Sequence, residues 1–118
     1  YNTGARNNAK YAATIGTTAA FYLECVLNAA DVSGCDPLII GFRKVQANAA
    51  TFTDYTDYAS IGLSATDGAN IWLKTDLNNA GETATDTTNG WVDGATHTLR
   101  VNVSAAGVTT YLIDGLCS

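Results

Sequence analysis

The chain has 118 residues, of which 47% are hydrophobic and 14% are charged, and its formal net charge is −5 at pH 7. This length suits a single domain built around one core. The six Lys and Arg residues are scattered along an acidic chain, which argues against nucleic acid or an anionic membrane surface as a partner, because phosphate groups are bound by clustered positive charge.

The N-terminal stretch, residues 1–18, has little hydrophobic periodicity and mixes Asn, Gly, Ala and Thr. We expect an irregular arm here, with at most one short strand around residues 11–15. Because the chain begins at Tyr1 and contains no methionine, we also expect a processed or excised piece of a longer protein. Residues 19–118 are expected to form the folded domain.

Two strands are predicted after the arm. Residues 21–27 alternate apolar and polar side chains, which is typical of a strand with one buried face. Residues 38–43 are apolar enough for a strand buried on both faces. The apolar run that contains this second strand is far shorter than the ~20 residues that a transmembrane helix needs.

The three cysteines are Cys25, Cys35 and Cys117. If residues 28–36 form a hairpin loop between the two strands, Cys25 faces residue 39 and not Cys35. A Cys25–Cys35 disulfide is then not favoured, because bridged cysteines need close Cα atoms. At least one cysteine is unpaired within the chain, and the redox state of the others stays open.

A hairpin is predicted over residues 58–76, after a weakly patterned loop at residues 47–56. A two-residue turn at Asp67-Gly68 would place Lys74 on the apolar face opposite Ile61. A three-residue loop with a left-handed Gly68 pairs Ile61 with Leu73 instead, which satisfies the core. In this register Tyr58 and Trp72 share the face that points away from the interior.

The last part of the chain is predicted to be a polar loop followed by a second hairpin. Residues 77–89 are rich in Thr, Asn and Asp and indicate a long loop with at most a short edge strand. Residues 90–115 alternate clearly, and the turn at residues 104–107 allows Leu99 to pair with Leu112 or with Ile113. The whole pattern predicts an all-β, two-sheet antiparallel β-sandwich of about seven short strands.

The second hairpin also carries a family resemblance, in the motif Asp93-Gly94-x-x-His97-Thr98-Leu99-Arg100-Val101-x-Val103, then Gly107-Val108 and Tyr111-Leu112-Ile113-Asp114-Gly115. This order resembles the laminin G-like branch of the concanavalin A-like jelly rolls, and residues 21–26 resemble an early strand of that family. The resemblance implies a jelly-roll connectivity. The chain departs from it at Thr96, where the family has Trp, and at residues 116–118, where the family continues into another strand that another chain would have to supply.

A carbohydrate-binding surface is predicted on the outer face of the first hairpin. The rings of Tyr58 and Trp72 would stack on a sugar there. The hydrogen-bond partners of the sugar would be Asn70 and Asp76, and Tyr111 and Arg100 are expected nearby.

A calcium site is the predicted cofactor site, in the polar loop that follows the first hairpin. The spacing of Asp76, Asn78 and Gly81 resembles the start of a calcium-binding loop, but Thr87 stands where such a loop needs a bidentate Glu. The metal ligands would be Asp76, Asn78 and Glu82, with Asp86 and Asp93 nearby. Some laminin G-like domains hold calcium in this way, so the resemblance supports the same prediction.

Catalysis is not predicted. Glycosidases need paired carboxylates, and the two glutamates, Glu24 and Glu82, have no second carboxylate two or four residues further on. His97 would face Asp114 in the register that pairs Leu99 with Leu112, but no nucleophile motif accompanies them.

The sequence therefore favours a non-catalytic structural or attachment module of a larger assembly, such as a virion capsid-decoration or fibre protein. Its partners would be other protein chains of the same assembly, in an oligomer, and its location extracellular or on a virion surface. The alternative is a lectin-like domain that binds glycans, with or without calcium.

Overall fold

A computed structural model describes residues 17–32, 38–47, 49, 52–63 and 68–116. The expectations for residues 1–16, Cys35 and Cys117 lie outside these ranges. The described residues form an all-β sandwich of two antiparallel sheets, as the sequence predicts. No helix in this part of the chain is long and apolar enough to cross a membrane.

Seven strands make up the two sheets, and one 3₁₀ turn spans Phe52–Asp54. The strands are β1 (Phe21–Asn28), β2 (Leu38–Arg43), β3 (Tyr58–Leu63), β4 (Asn70–Asp76), β5 (Thr83–Gly90), β6 (Thr96–Val103) and β7 (Thr109–Ile113). One sheet has the order β1-β6-β7 and the other has the order β2-β3-β4-β5.

β1 and β2 lie in different sheets, so the hairpin on which the Cys25 argument depended does not form. β1 pairs with β6, so that Cys25 lies opposite Leu99 and is a free thiol. β2 pairs with β3 in the other sheet, and the rings of Phe21 and Phe42 meet edge to face across the core at 4.8 Å between centroids. The apolar faces of the two strands are thus buried against one another across the sandwich instead of side by side in one sheet. As an edge strand, β2 is half-buried for most of its length and not buried on both faces.

The predicted register of the first hairpin is confirmed. Ile61 pairs with Leu73, and Gly62 lies opposite Trp72. Gly68 has φ +74°, the left-handed conformation expected for it. This register is favoured because it keeps the Lys74 ammonium group out of the core.

The register of the second hairpin is the one that pairs Leu99 with Ile113. The strand-end turn at Asp114-Gly115 is tight, with φ +53° and +79°, and the chain folds back so that Ile113 bridges Leu116.

The edge strand allowed for within residues 77–89 is present and longer than expected, because β5 is a full strand of eight residues. It is the edge of the four-stranded sheet, and all of its residues except Thr87 are exposed. Thr87 turns inward and donates from its hydroxyl to the Ile71 carbonyl at 2.6 Å, where the ladder between β4 and β5 is irregular. Interruptions of this kind protect an edge strand from further pairing.

The core lies between the two sheets, mainly between β3 and β4 on one side and β6 on the other. Its fully buried side chains are Ile61, Leu63, Ile71, Leu99 and Val101. Burying each of them contributes roughly 1.5–3 kcal/mol to stability. The functional side chains therefore have to lie on the two outer faces or at the ends of the sheets.

Candidate functional site

The outer face of the four-stranded sheet carries the predicted sugar-binding residue Tyr58, but its ring is covered. Tyr58 is only 5% exposed. The ring of Phe52 packs on it at 4.5 Å between centroids. The segment that brings Phe52 there is tied down by backbone bonds from Lys44 to Asp57 and from Asn79 to Thr56. Tyr58 thus presents no open ring face for stacking.

The Tyr58 hydroxyl is part of a polar cluster with three neighbouring side chains. It donates to Glu82 Oε2 at 2.7 Å, and Lys74 Nζ lies 3.7 Å from Glu82 Oε1. Burial raises the pKa of the Tyr58 hydroxyl, and the hydrogen bond to Glu82 and the negative charges of Glu82 and Asp76 raise this pKa further. The hydroxyl therefore stays protonated and acts as a donor.

The predicted calcium ligands Asp76, Asn78 and Glu82 do not form a cluster of three acidic side chains, and part of the set already has other partners. Asp76 is buried and its Oδ1 has no hydrogen-bond partner. The carboxylate of Glu82 is already engaged by Tyr58 and Lys74, and the Asn78 backbone N–H donates to Asp57 Oδ1 at 2.6 Å. Calcium takes six to eight oxygen ligands, whereas the described residues contain no group of three or more His, Cys, Asp or Glu side chains placed to hold a metal.

The other two predicted sugar-binding residues lie further along the same face. Trp72 is half-buried opposite Gly62. The Asn70 amide donates to both carboxylate oxygens of Asp86, at 3.2 and 3.0 Å, and Asp86 also accepts the Thr88 backbone N–H. Asn70 thus holds the irregular part of the β4–β5 ladder together.

Arg100 and Tyr111 do not join this surface, contrary to the sequence expectation. Both belong to the three-stranded sheet. Tyr111 pairs with the buried Val101 and shares its inward-facing side. Arg100 alternates with buried neighbours in β6 and so lies on the opposite outer face of the molecule.

His97 and Asp114 meet at the end of the three-stranded sheet. His97 Nδ1 lies 2.6 Å from Asp114 Oδ2, and Asp114 Oδ1 accepts the Thr98 backbone N–H at 2.9 Å. The Thr98 hydrogen bond, and then the His97 hydrogen bond, hold the pKa of the Asp114 carboxyl below its usual value. The sequence tied this pair to the other register, but the left-handed Asp114 brings its side chain back to His97.

The same histidine also contacts the core. The ring of the buried Trp91 meets the His97 ring edge to face, with 4.9 Å between centroids. The Trp91 indole N–H donates to the Ala95 carbonyl at 3.0 Å. These contacts fix the turn that leads into β6.

The outer face of the three-stranded sheet holds a cleft that the sequence did not reveal. Tyr22 is 58% exposed there. The Arg100 guanidinium lies over its ring, with the central carbon 3.6 Å from the ring centroid. We call the adjoining cavity of about 260 Å³ the Tyr22 cleft; it is lined by Tyr22, Arg100, Asn102, Ser104, Val108 and Thr110, among others.

The sequence signal for the Tyr22 cleft is the outward position of Tyr22 in β1. This signal was not sufficient to predict the cleft, because the cleft forms only when β1 pairs with β6 and sets Tyr22 opposite Asn102.

Comparison of the chain with models of known protein families, with curated proteins and with solved structures finds no match.

Proposed function

We propose that this domain is a non-catalytic structural or attachment module of a larger assembly, located extracellularly or on a virion surface. The observation that supports the proposal is the outer face of the three-stranded sheet, where Tyr22 and Val26 are 58% and 68% exposed. Two large apolar side chains on one strand face, next to a cleft, are typical of a surface that a partner covers. Other chains of the same assembly are the proposed partners.

The test is the molar mass in solution over a wide range of protein concentrations, measured by light scattering after size exclusion. We expect concentration-dependent oligomers that Val26→Lys weakens, because an ammonium group would have to be desolvated in the contact. The matched control is Thr85→Lys, on the exposed edge strand β5, which should leave the mass unchanged. A monomer at every concentration would contradict self-assembly through this face.

Glycan binding is the second candidate function, and the Tyr22 cleft favours it. An exposed aromatic ring beside amide, hydroxyl and guanidinium groups is the combination that sugar rings require for stacking and hydrogen bonding. This site replaces the surface around Tyr58 in the proposal, because the Tyr58 ring is covered by Phe52.

A glycan array probed with and without Ca²⁺ tests this second candidate. We expect binding that Tyr22→Ala abolishes and that calcium does not change. A blank array under both conditions would remove the carbohydrate proposal and leave the attachment proposal untouched.

A further inference from the structure

The charge of the Tyr22 cleft is unusual for a chain with net charge −5. Among the described residues that line it, Arg100 is the one that carries a charge. The acidic side chain of Glu24 lies beside the arginine and is not among the residues that line the cleft, with Oε2 3.8 Å from Arg100 Nη1. The cleft therefore presents a positive group to a ligand.

The guanidinium group is held in one orientation. Its central carbon lies over the Tyr22 ring, and its Nε–H donates to Asn102 Oδ1 at 2.7 Å. Among the described residues, no hydrogen bond is made by Nη2. A guanidinium that is already oriented and still has free donors binds a carboxylate with little loss of side-chain freedom.

The remaining lining groups suit the body of a sugar. The Asn102 amide and the Thr110 hydroxyl are joined by a hydrogen bond of 3.5 Å, long enough for both groups to exchange it for a ligand hydroxyl. Val108 is 62% exposed and forms an apolar wall. A volume of about 260 Å³ suits a small ligand, below the roughly 300–1,000 Å³ of pockets for drug-sized molecules.

We propose that the Tyr22 cleft binds an acidic sugar, a hexuronate unit, with its carboxylate on Arg100 and its hydroxyls on Asn102 and Thr110. The inference rests on the second proposed function, glycan binding, and adds the ligand class. It distinguishes this domain from one that recognises neutral sugars through stacking alone.

The experiment is a titration of the 118-residue chain with glucuronate and, in parallel, with glucose, followed by amide chemical shifts. We expect saturable shifts at residues around Tyr22 with glucuronate, and affinity for glucose lower by at least about tenfold because the charge-assisted hydrogen bonds are lost. Arg100→Gln should abolish this preference, and Arg100→Lys should restore part of it.

Two further variants sharpen the test. Glu24→Gln removes the acceptor that competes for Arg100, so we expect tighter glucuronate binding and unchanged glucose binding. Trp72→Ala, on the other sheet, should change neither the affinity for glucuronate nor the affinity for glucose. The amide spectrum of each variant without ligand shows whether it is folded.

Each contrary result identifies a different error. Equal affinities for glucose and glucuronate would overturn the acidic-sugar proposal and leave glycan binding standing. Absence of shifts with both sugars, together with a blank glycan array, would overturn both. Binding that Trp72→Ala removes and Arg100→Gln keeps would place the site on the other sheet.

Discussion

The two outer faces of the sandwich are built from similar alternating strands but differ in how far their tyrosine rings are exposed to solvent. On the four-stranded sheet, Tyr58 points outward and is nevertheless buried, because Phe52 and Glu82 cover it. On the three-stranded sheet, Tyr22 points outward and stays exposed beside Arg100. Strand parity decides which way a side chain points, and the segments between strands decide whether it can meet a ligand.

The covered face should be the more sensitive to mutation, and its largest effect is expected at Gly62. This residue has φ +159° and an added Cβ would lie 2.0 Å from the Leu38 carbonyl oxygen. Gly62→Ala should cost more than about 3 kcal/mol or prevent folding, since the backbone itself would have to move. Denaturant unfolding measures the loss.

Gly90→Ala is the matched control, because Gly90 has an ordinary backbone and its nearest neighbour to an added Cβ lies at 3.8 Å. We expect a change below about 0.5 kcal/mol there. Similar losses for both variants would contradict the packing of β2 against β3.

A pair of hydroxyl deletions compares the two faces directly. Tyr58→Phe removes the partly buried hydrogen bond to Glu82 and should cost about 1–1.5 kcal/mol. Tyr22→Phe leaves the ring under Arg100 in place and should cost less than about 0.5 kcal/mol. Thermal unfolding of both variants and of the parent chain measures the two losses. A larger loss for Tyr22→Phe than for Tyr58→Phe would show that the covered and open faces are wrongly assigned.

The pKa of Tyr58 gives this comparison a pH dependence. Because the pKa is raised in the folded state, the contribution of Tyr58 to stability is complete below the unfolded value of about 10 and is lost as pH rises above it. The free energy of unfolding should thus fall between about pH 10 and 11 more steeply in the parent than in Tyr58→Phe. Parallel pH profiles would contradict the burial of this hydroxyl.

A small effect with the opposite pH dependence is expected at the exposed end of the three-stranded sheet. The pKa of Asp114 is lowered, so its contribution is present above the unfolded value near 4 and is lost as pH falls through the folded value. Asp114→Asn keeps a residue that accepts φ +53° and removes the charge. We expect a loss below about 1 kcal/mol at neutral pH, which disappears in acid.

Much of the local fold follows from the sequence, for reasons that particular residues illustrate. Lys74 excludes the wrong register of the first hairpin, since a charge in the core is too costly. The confirmed pairing of Ile61 with Leu73 is the result. The inward positions of Leu99 and Val101 follow in the same way from alternation.

Pairing between distant segments could not be predicted in this way. The alternation in β1 is equally compatible with β2 as its neighbour in the same sheet and with β2 across the core. Which strand lies beside β1, here β6, depends on how all the strands assemble. The length of β5 was underestimated, because a threonine-rich edge strand has no buried face to give alternation.

At the candidate site, too, the local strand register could be predicted and the contacts between distant segments could not. The outward placement of Tyr58 and Trp72 follows from the register, but the cover over Tyr58 comes from Phe52, in a stretch with no periodicity. The Tyr22 cleft depends on β1 lying beside β6, so the sequence placed Arg100 near the wrong aromatic residues.

Hydroxyl-radical footprinting of the native protein, with oxidation of each tyrosine followed by mass spectrometry, tests the central claim most directly. We predict that Tyr22 is oxidised nearly as fast as in the unfolded chain and that Tyr58 is strongly protected. Equal oxidation of the two residues, or protection of Tyr22 with exposure of Tyr58, would contradict it.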